Sequence, residues 1–118
     1  MFDIAACLDT QPLPQGRRVA IVTNAGGPGI MAVDACEAAG LIVTEFSAQT
    51  RARLAAFLPP TASVGNPVDL VASAGPPEYR QAVEAAATAP ETDALVVIFT
   101  PAPRPYRPTR SRRTPYGR

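Results

Sequence analysis

The chain contains no lysine, no histidine and no tryptophan. Without histidine it lacks the commonest general base and the commonest metal ligand, and it cannot itself carry a phosphohistidine. It has two cysteines, Cys7 and Cys36, with no metal or redox spacing between them. They are expected to be reduced structural thiols of a cytoplasmic protein. There is no signal peptide and no apolar run long enough to span a membrane, so no membrane partner is expected. Aromatic residues make up only 6% of the chain and alanine supplies much of its apolar content, which bounds the core to a modest one. A length of 118 residues allows at most one small domain.

Charge is divided between two regions. Residues 1–100 hold all ten acids against Arg17, Arg18, Arg51, Arg53 and Arg80, a net charge of −5. Residues 101–118 hold six arginines and no acid, together with five of the fourteen prolines. This tail has no helical or strand periodicity and is expected to be disordered. Phosphate contacts would be open to such a tail, but no folded nucleic-acid motif accompanies it. It is read as a solvated tail or a reading-frame artefact, with nucleic acid not expected as a partner.

Residues 1–17 are expected to form an amino-terminal helix, Met1–Leu8, and a linker broken by Pro12, Pro14 and Gly16. The body, residues 18–100, turns on RVAIVTNAGGPG. Val19–Val22 is a short β-branched apolar run that predicts a buried strand, and the glycines and Pro28 after it predict a turn. IMAVDACEAAG predicts a helix with Ile30, Val33 and Ala38 inward, Met31 near its edge and Gly40 at its end. LIVT is a second strand. Ser47 caps a second helix with Leu54, Phe57 and Leu58 inward. VDLVA is a short third strand, Pro76 and Pro77 open a third helix, and ALVVIF is a fourth strand. The order βαβαβαβ argues for an α/β fold with a three-layer, flavodoxin-like parallel sheet, truncated, in strand order 2-1-3-4. A Rossmann half has the same local pattern. Ala94–Phe99 is left as a long apolar edge, which invites association.

Two loops carry candidate chemistry. GPGIMA, Gly27–Ala32, fits the dinucleotide fingerprint, and Glu45 lies eighteen residues after Gly27, near the place of a ribose-binding acid. The longer turn and Pro28 weigh against that reading. A glycine turn that binds nothing is a second reading. A site for one anionic group fits better: Gly27, Gly29, Ile30 and Met31 carry N–H groups at a helix start, and Asn24 can cap the turn or donate to a phosphate oxygen. In VGNPVDL, Asn66-Pro67 signals a turn. Asp69 stands where such sheets bind ligands, and its simpler role is to accept hydrogen bonds from nearby N–H groups. No partner base or metal set accompanies it, so no catalytic residue is assigned.

TQPLPQGRRVAIVTNAGGPGIMAVDACEAAGL, FLPPTASVGNPVDLVASA and TDALVVIFTP resemble one domain of the ADP-forming acyl-CoA (acetyl-CoA) synthetases of the succinyl-CoA synthetase superfamily. This is the flavodoxin-like domain that follows the phosphohistidine domain. It also occurs in fusions with an acetyltransferase, where a ligase-like regulatory module is the alternative. The resemblance implies interconversion of acyl-CoA, ADP and phosphate with a carboxylic acid, CoA and ATP, through a phosphohistidine on another domain. It implies that Asn24, Ala25, Gly26, Gly27, Pro28, Gly29 and Ile30 line a phosphate site, with Asn66 and Asp69 on a second loop. It further implies CoA, ADP or ATP, phosphate and Mg in the full-length enzyme. The partners would be CoA-binding, phosphohistidine and ATP-grasp domains. The chain is expected to be a fragment, inactive alone.

Overall fold

The computed structural model describes residue 11 and residues 13–101. The expected Met1–Leu8 helix, Cys7 and residues 102–118 of the basic tail lie outside them.

The first strand, β1 (Arg18–Thr23), is the axis of the domain. Val19 through Thr23 are all buried, as the β-branched run predicts for a parallel strand covered on both faces. Along one edge it pairs in parallel with β4 (Ala94–Ile98), from Val19 opposite Ala94 to Thr23 opposite Ile98. The other edge is shared. β2 (Ile42–Val43) pairs with Arg18 and Val19, and β3 (Val68–Asp69) pairs with Val22 and Thr23. The Asn66 side chain fills the interval between them. Its Nδ2 donates to Val19 O at 2.8 Å and to Thr44 O at 2.8 Å, and its Oδ1 accepts from Ile21 N at 2.9 Å. A side-chain amide thus stands in for the missing peptide group of a continuous strand.

The α/β class and parallel sheet are as expected, but the order 2-1-3-4 is not. VDLVA was expected to be a short third strand separating β1 from β4. It supplies only two paired residues, on the β2 side, and β4 meets β1 directly. The reason is local. Asp69 Oδ1 accepts from Val71 N at 3.0 Å, and Val71 takes a φ of 63°, so the chain turns away at once. β4 therefore occupies the position beside β1 expected of the third strand.

The first helix, α1 (Gly26–Ala38), begins inside the glycine run rather than after it. Its inward stripe is Gly29, Ala32, Val33 and Cys36, at helical spacing. This corrects the expected stripe: Ala38 is exposed, Ile30 is 64% exposed and Met31 72% exposed. Gly29 is the closest approach, since a Cβ there would lie 3.0 Å from Thr23 Cγ2. At the other end Gly40 adopts a φ of 83°, and Leu41 N donates to Cys36 O at 2.9 Å, closing the helix as its glycine predicts.

The opposite face of β1 carries the main core. Ala20 and Val22 pack with Phe46, Leu54, Leu58, Val68 and Leu70. α2 (Ala48–Ala55) is capped by Ser47, whose Oγ accepts from Thr50 N at 3.2 Å, and it buries Leu54. α3 (Pro76–Ala87) closes the layer with Ala82, Ala85 and Ala86, small residues that let the helix lie close on the sheet. Its start is held by Glu78, whose Oε2 accepts from Gly75 N at 3.0 Å. At the amino end of the sheet, Arg18 grips Asp93 with both arms of its guanidinium, at 2.9 and 3.1 Å, and with its own N–H at 3.0 Å. This fork ties the start of β1 to the start of β4.

Candidate functional site

The loops after β1 and before β3 meet at the carboxyl end of the sheet, where open α/β folds bind ligands. A cleft of about 210 Å³ opens there, lined by Thr23, Gly26, Gly29, Ile30, Ser63, Pro67 and Asp69. It brings the glycine turn and the second loop together. Thr23 and Ser63 carry no site role in the sequence reading, and Pro67 entered it only as part of a turn. Ser63 reaches the cleft because its backbone forms a two-way bridge with Asp69, at 3.0 Å each way, a pairing that no local pattern announces.

The structure separates the residues of the turn by role. Asn24 is buried, and its amide is used within the fold: Nδ2 donates to Thr100 O at 2.7 Å and Oδ1 accepts from Thr100 N at 2.8 Å. Ala25 is the residue preceding the helix, with an extended φ of −140°, and no side chain caps its end. Its N–H is turned back to Thr23 Oγ1 at 3.0 Å. Gly29 N donates to Ala25 O at 3.3 Å, and Ile30 and Met31 follow in the helical repeat, so their N–H groups point into the helix. Pro28, third in the helix, has no N–H. The donors left at the exposed start of α1 are therefore the N–H groups of Gly26 and Gly27, at the positive end of the helix.

On the second loop, Asn66 is committed to the sheet. Pro67 faces Gly29, with its Cβ 3.7 Å from the position a Gly29 Cβ would take. Asp69 shows the simpler role foreseen for it, accepting from Val71 N. Its other oxygen lies 3.5 Å from where a Cβ on Gly26 would sit, close to the helix start. Tyr79 approaches the same end of the sheet from α3. Its hydroxyl donates to Ile98 O at 2.9 Å, and its ring meets Phe99 edge-on at 5.7 Å. Burial raises the Tyr79 hydroxyl pKa, and the charge of Asp69 raises it further.

Glu45 does not join this cleft. It lines a separate one with Phe46, Arg51, Gly65 and Asn66. Gly26 and Gly29 thus share no cleft with the acid that a dinucleotide site would require beside them. Among the described residues no cluster of three or more acidic, cysteine or histidine side chains could hold a metal ion. No helix of these residues is long and apolar enough to cross a membrane.

An open parallel sheet with a glycine turn feeding a helix, facing a second loop across a cleft, defines an open α/β domain. The Ligase-CoA domain family matches residues 19–102, and the chain belongs to that family. It is 45% identical over 89 residues to the alpha subunit of acetate–CoA ligase (ADP-forming) II of Pyrococcus furiosus, covering 75% of this chain and 20% of that protein. It is 32% identical over 101 residues to the 4-hydroxybutyrate–CoA ligase (ADP-forming) of Nitrosopumilus maritimus, covering 86% of this chain and 14% of that protein. Among solved structures, PH0766 from Pyrococcus horikoshii OT3 superposes with a TM-score of 0.73 at 43% identity, over 75% of this chain and 20% of that one. The dinucleotide-forming acetyl-coenzyme A synthetase 1 of Ca. Korarchaeum cryptofilum, in complex with phosphate and ADP, superposes with a TM-score of 0.75 at 32% identity. That match covers 83% of this chain and 21% of the synthetase. The chain therefore spans between 14% and 21% of the length of these relatives.

Proposed function

We propose that this chain is the phosphate-handling domain of an ADP-forming acyl-CoA synthetase and works only with CoA-binding, phosphohistidine and ATP-grasp domains supplied from elsewhere. The observation that carries the reading is the exposed helix start at Gly26 and Gly27, with Gly26 in the wall of the cleft. Two backbone donors and a helix end favour an oxyanion without any charged side chain. Pro28 removes the next donor and fixes the first turn.

Asp69 adds a condition. With one carboxylate oxygen close to Gly26, a second anion at the helix start meets like charge unless it brings a proton or a cation with it. A phosphoryl group on an imidazole, whose ring can donate a hydrogen bond, meets that condition better than a free dianion. Because the chain has no histidine, that imidazole comes from another domain. In the complete enzyme CoA, ADP or ATP and Mg supply the thiol, the phosphoryl acceptor or donor, and its charge neutralisation. This chain's part is to receive and steady the phosphoryl oxygens.

Titration of the chain with inorganic phosphate and with phosphoramidate, followed by amide shifts, tests this. Saturable shifts at Gly26 and Gly27 are expected. NAD moving Gly27 and Glu45 while both phosphates move nothing would sink the proposal. The purified chain alone is expected to form no ATP from acyl-CoA, ADP and phosphate. ATP formation by it would overturn the dependence on other domains.

A further inference from the structure

The cleft between the two loops holds a pair of side chains with groups that the fold leaves unused. Ser63 and Asp69 exchange backbone hydrogen bonds, each N–H donating to the other's carbonyl at 3.0 Å. In an antiparallel pair of this kind the two residues stand directly opposite, and their side chains project from the same face with Cβ atoms about 5 Å apart. Asp69 fixes which face that is, because its Oδ2 lies 3.5 Å from where a Cβ on Gly26 would sit. The Ser63 side chain therefore projects into the cleft as well, beside Asp69 and across from the start of α1.

Two polar side-chain atoms of the cleft are free. Thr23 Oγ1 is spent on Ala25, donating to its O and accepting from its N, both at 3.0 Å. Asp69 Oδ1 accepts from Val71 N. Ser63 Oγ and Asp69 Oδ2 make no hydrogen bond to any described residue. Gly65, two residues after Ser63, offers the hydroxyl no side chain, since even a Cβ there would lie 3.9 Å from Oγ. The two free groups differ in kind: a hydroxyl can donate, whereas a carboxylate only accepts. Side by side, they match a small ligand that presents an acceptor oxygen next to a donor.

We propose that Ser63 and Asp69 together select a phosphoryl group carried on nitrogen: Ser63 Oγ donates to a phosphoryl oxygen, and Asp69 Oδ2 accepts from an N–H of the group that bears it. This rests on the phosphoryl reading of the cleft and adds its specificity. An inorganic phosphate dianion gains from Ser63 but meets the like charge of Asp69. Phosphoramidate gains from both, because its nitrogen carries protons. Ser63 sets how tightly the cleft holds phosphoryl oxygens, and Asp69 sets which phosphoryl compounds it admits. Neither role needs a charged side chain of the opposite sign.

Titration of the full chain with phosphoramidate and with inorganic phosphate at one neutral pH tests this, with the Gly26 amide shift locating the site. The wild-type chain is expected to bind phosphoramidate about tenfold more tightly than phosphate. Ser63→Ala is expected to weaken both ligands by about tenfold while leaving their ratio and the melting midpoint unchanged, and Ser63→Thr to restore both. Asp69→Asn keeps an acceptor for Val71 N and is expected to abolish the preference by strengthening phosphate. The wild-type preference remains a test if that variant fails to fold. Wild-type affinity in Ser63→Ala would overturn the role of Ser63. Equal affinities in the wild-type chain, or a preference that survives Asp69→Asn, would overturn that of Asp69, with the phosphoryl reading left standing in each case. A wild-type chain that binds neither ligand would overturn that reading and the pair together.

Discussion

Asn24 and Asn66 both use a side-chain amide as a substitute peptide group, but on opposite edges of β1. Asn66 makes three bonds, to Val19, Ile21 and Thr44, and bridges the interval between two strands of two residues each. Asn24 makes two, both to Thr100, and extends the pairing of β4 beyond the end of β1. One amide holds the middle of the sheet and the other its carboxyl end. Each belongs to the loop that looks most like a binding motif, yet each is spent on the fold. The groups at or beside the cleft are instead their neighbours: Gly26 and the exposed Gly27 on one loop, and Pro67 and Asp69 on the other. A polar residue in a glycine-rich loop is therefore as much a device for ending strands as one for holding ligands.

Substitutions can break this contrast, beginning with the largest effect. Asn66→Ala strands two acceptors and one donor at the centre of the sheet. It is expected to destabilise by about 3 kcal/mol or more, read as a lost or strongly lowered denaturant midpoint. Asn24→Ala leaves only the Thr100 groups, which lie near solvent, and is expected to cost about 1 kcal/mol by the same measurement. If the two variants cost the same, the division between a central and a terminal amide fails. Gly29→Ala places a methyl group 3.0 Å from Thr23 Cγ2, so Thr23 or the start of α1 must give way slightly. A cost of about 1 kcal/mol is expected, with chemical-shift changes along both elements.

Gly27→Ala is expected to have the smallest effect on stability and the most telling effect on binding. Nothing lies within 4 Å of a Cβ at Gly27, and its φ is not in the left-handed region, so stability should change by no more than about 0.5 kcal/mol. The added methyl group stands beside the proposed oxyanion path and should weaken the phosphate-induced shift. Unchanged phosphate response in this variant would separate the glycine turn from ligand binding.

Acid tests the other end of the sheet. The Arg18 guanidinium holds the Asp93 carboxyl below its ordinary range, and Thr50 and Ser47 do the same for Glu91. Carboxyls that titrate lower in the folded state contribute stability that is complete above the ordinary carboxylate range and is lost as pH falls through the folded values. Thermal melts should therefore lose midpoint below about pH 4. Asp93→Asn should show a lower midpoint at neutral pH and a flatter acid limb.

Much of the fold could be read from local chemistry. β1 and β4 are apolar β-branched runs, Ser47 is a side-chain cap, Gly40 sits where a left-handed residue must end a helix, and Pro76 and Pro77 suit a first turn. Each is decided within a few residues, by sterics or by the nearest backbone donor. The start of α1 was missed because a glycine-rich run carries no side chains to announce where helical bonding begins. Moving that start to Gly26 rotated the helix, turning Ile30 and Met31 outward and bringing Gly29 against Thr23. VDLVA forms the short strand its apolar pattern suggests, but that pattern says nothing of the turn set by Asp69 and Val71, which leaves it on the β2 side of β1.

By itself, the sequence determined the class of the domain, its strand–helix alternation, its lack of a phosphorylatable histidine and the family pattern shared by its two loops. Only the tertiary structure decided which groups of those loops are free. That choice rests on bonds between residues forty or more positions apart, Asn66 to Val19 and Ile21 and Asn24 to Thr100. No local periodicity encodes such bonds, because they exist only once the strands they join are already side by side.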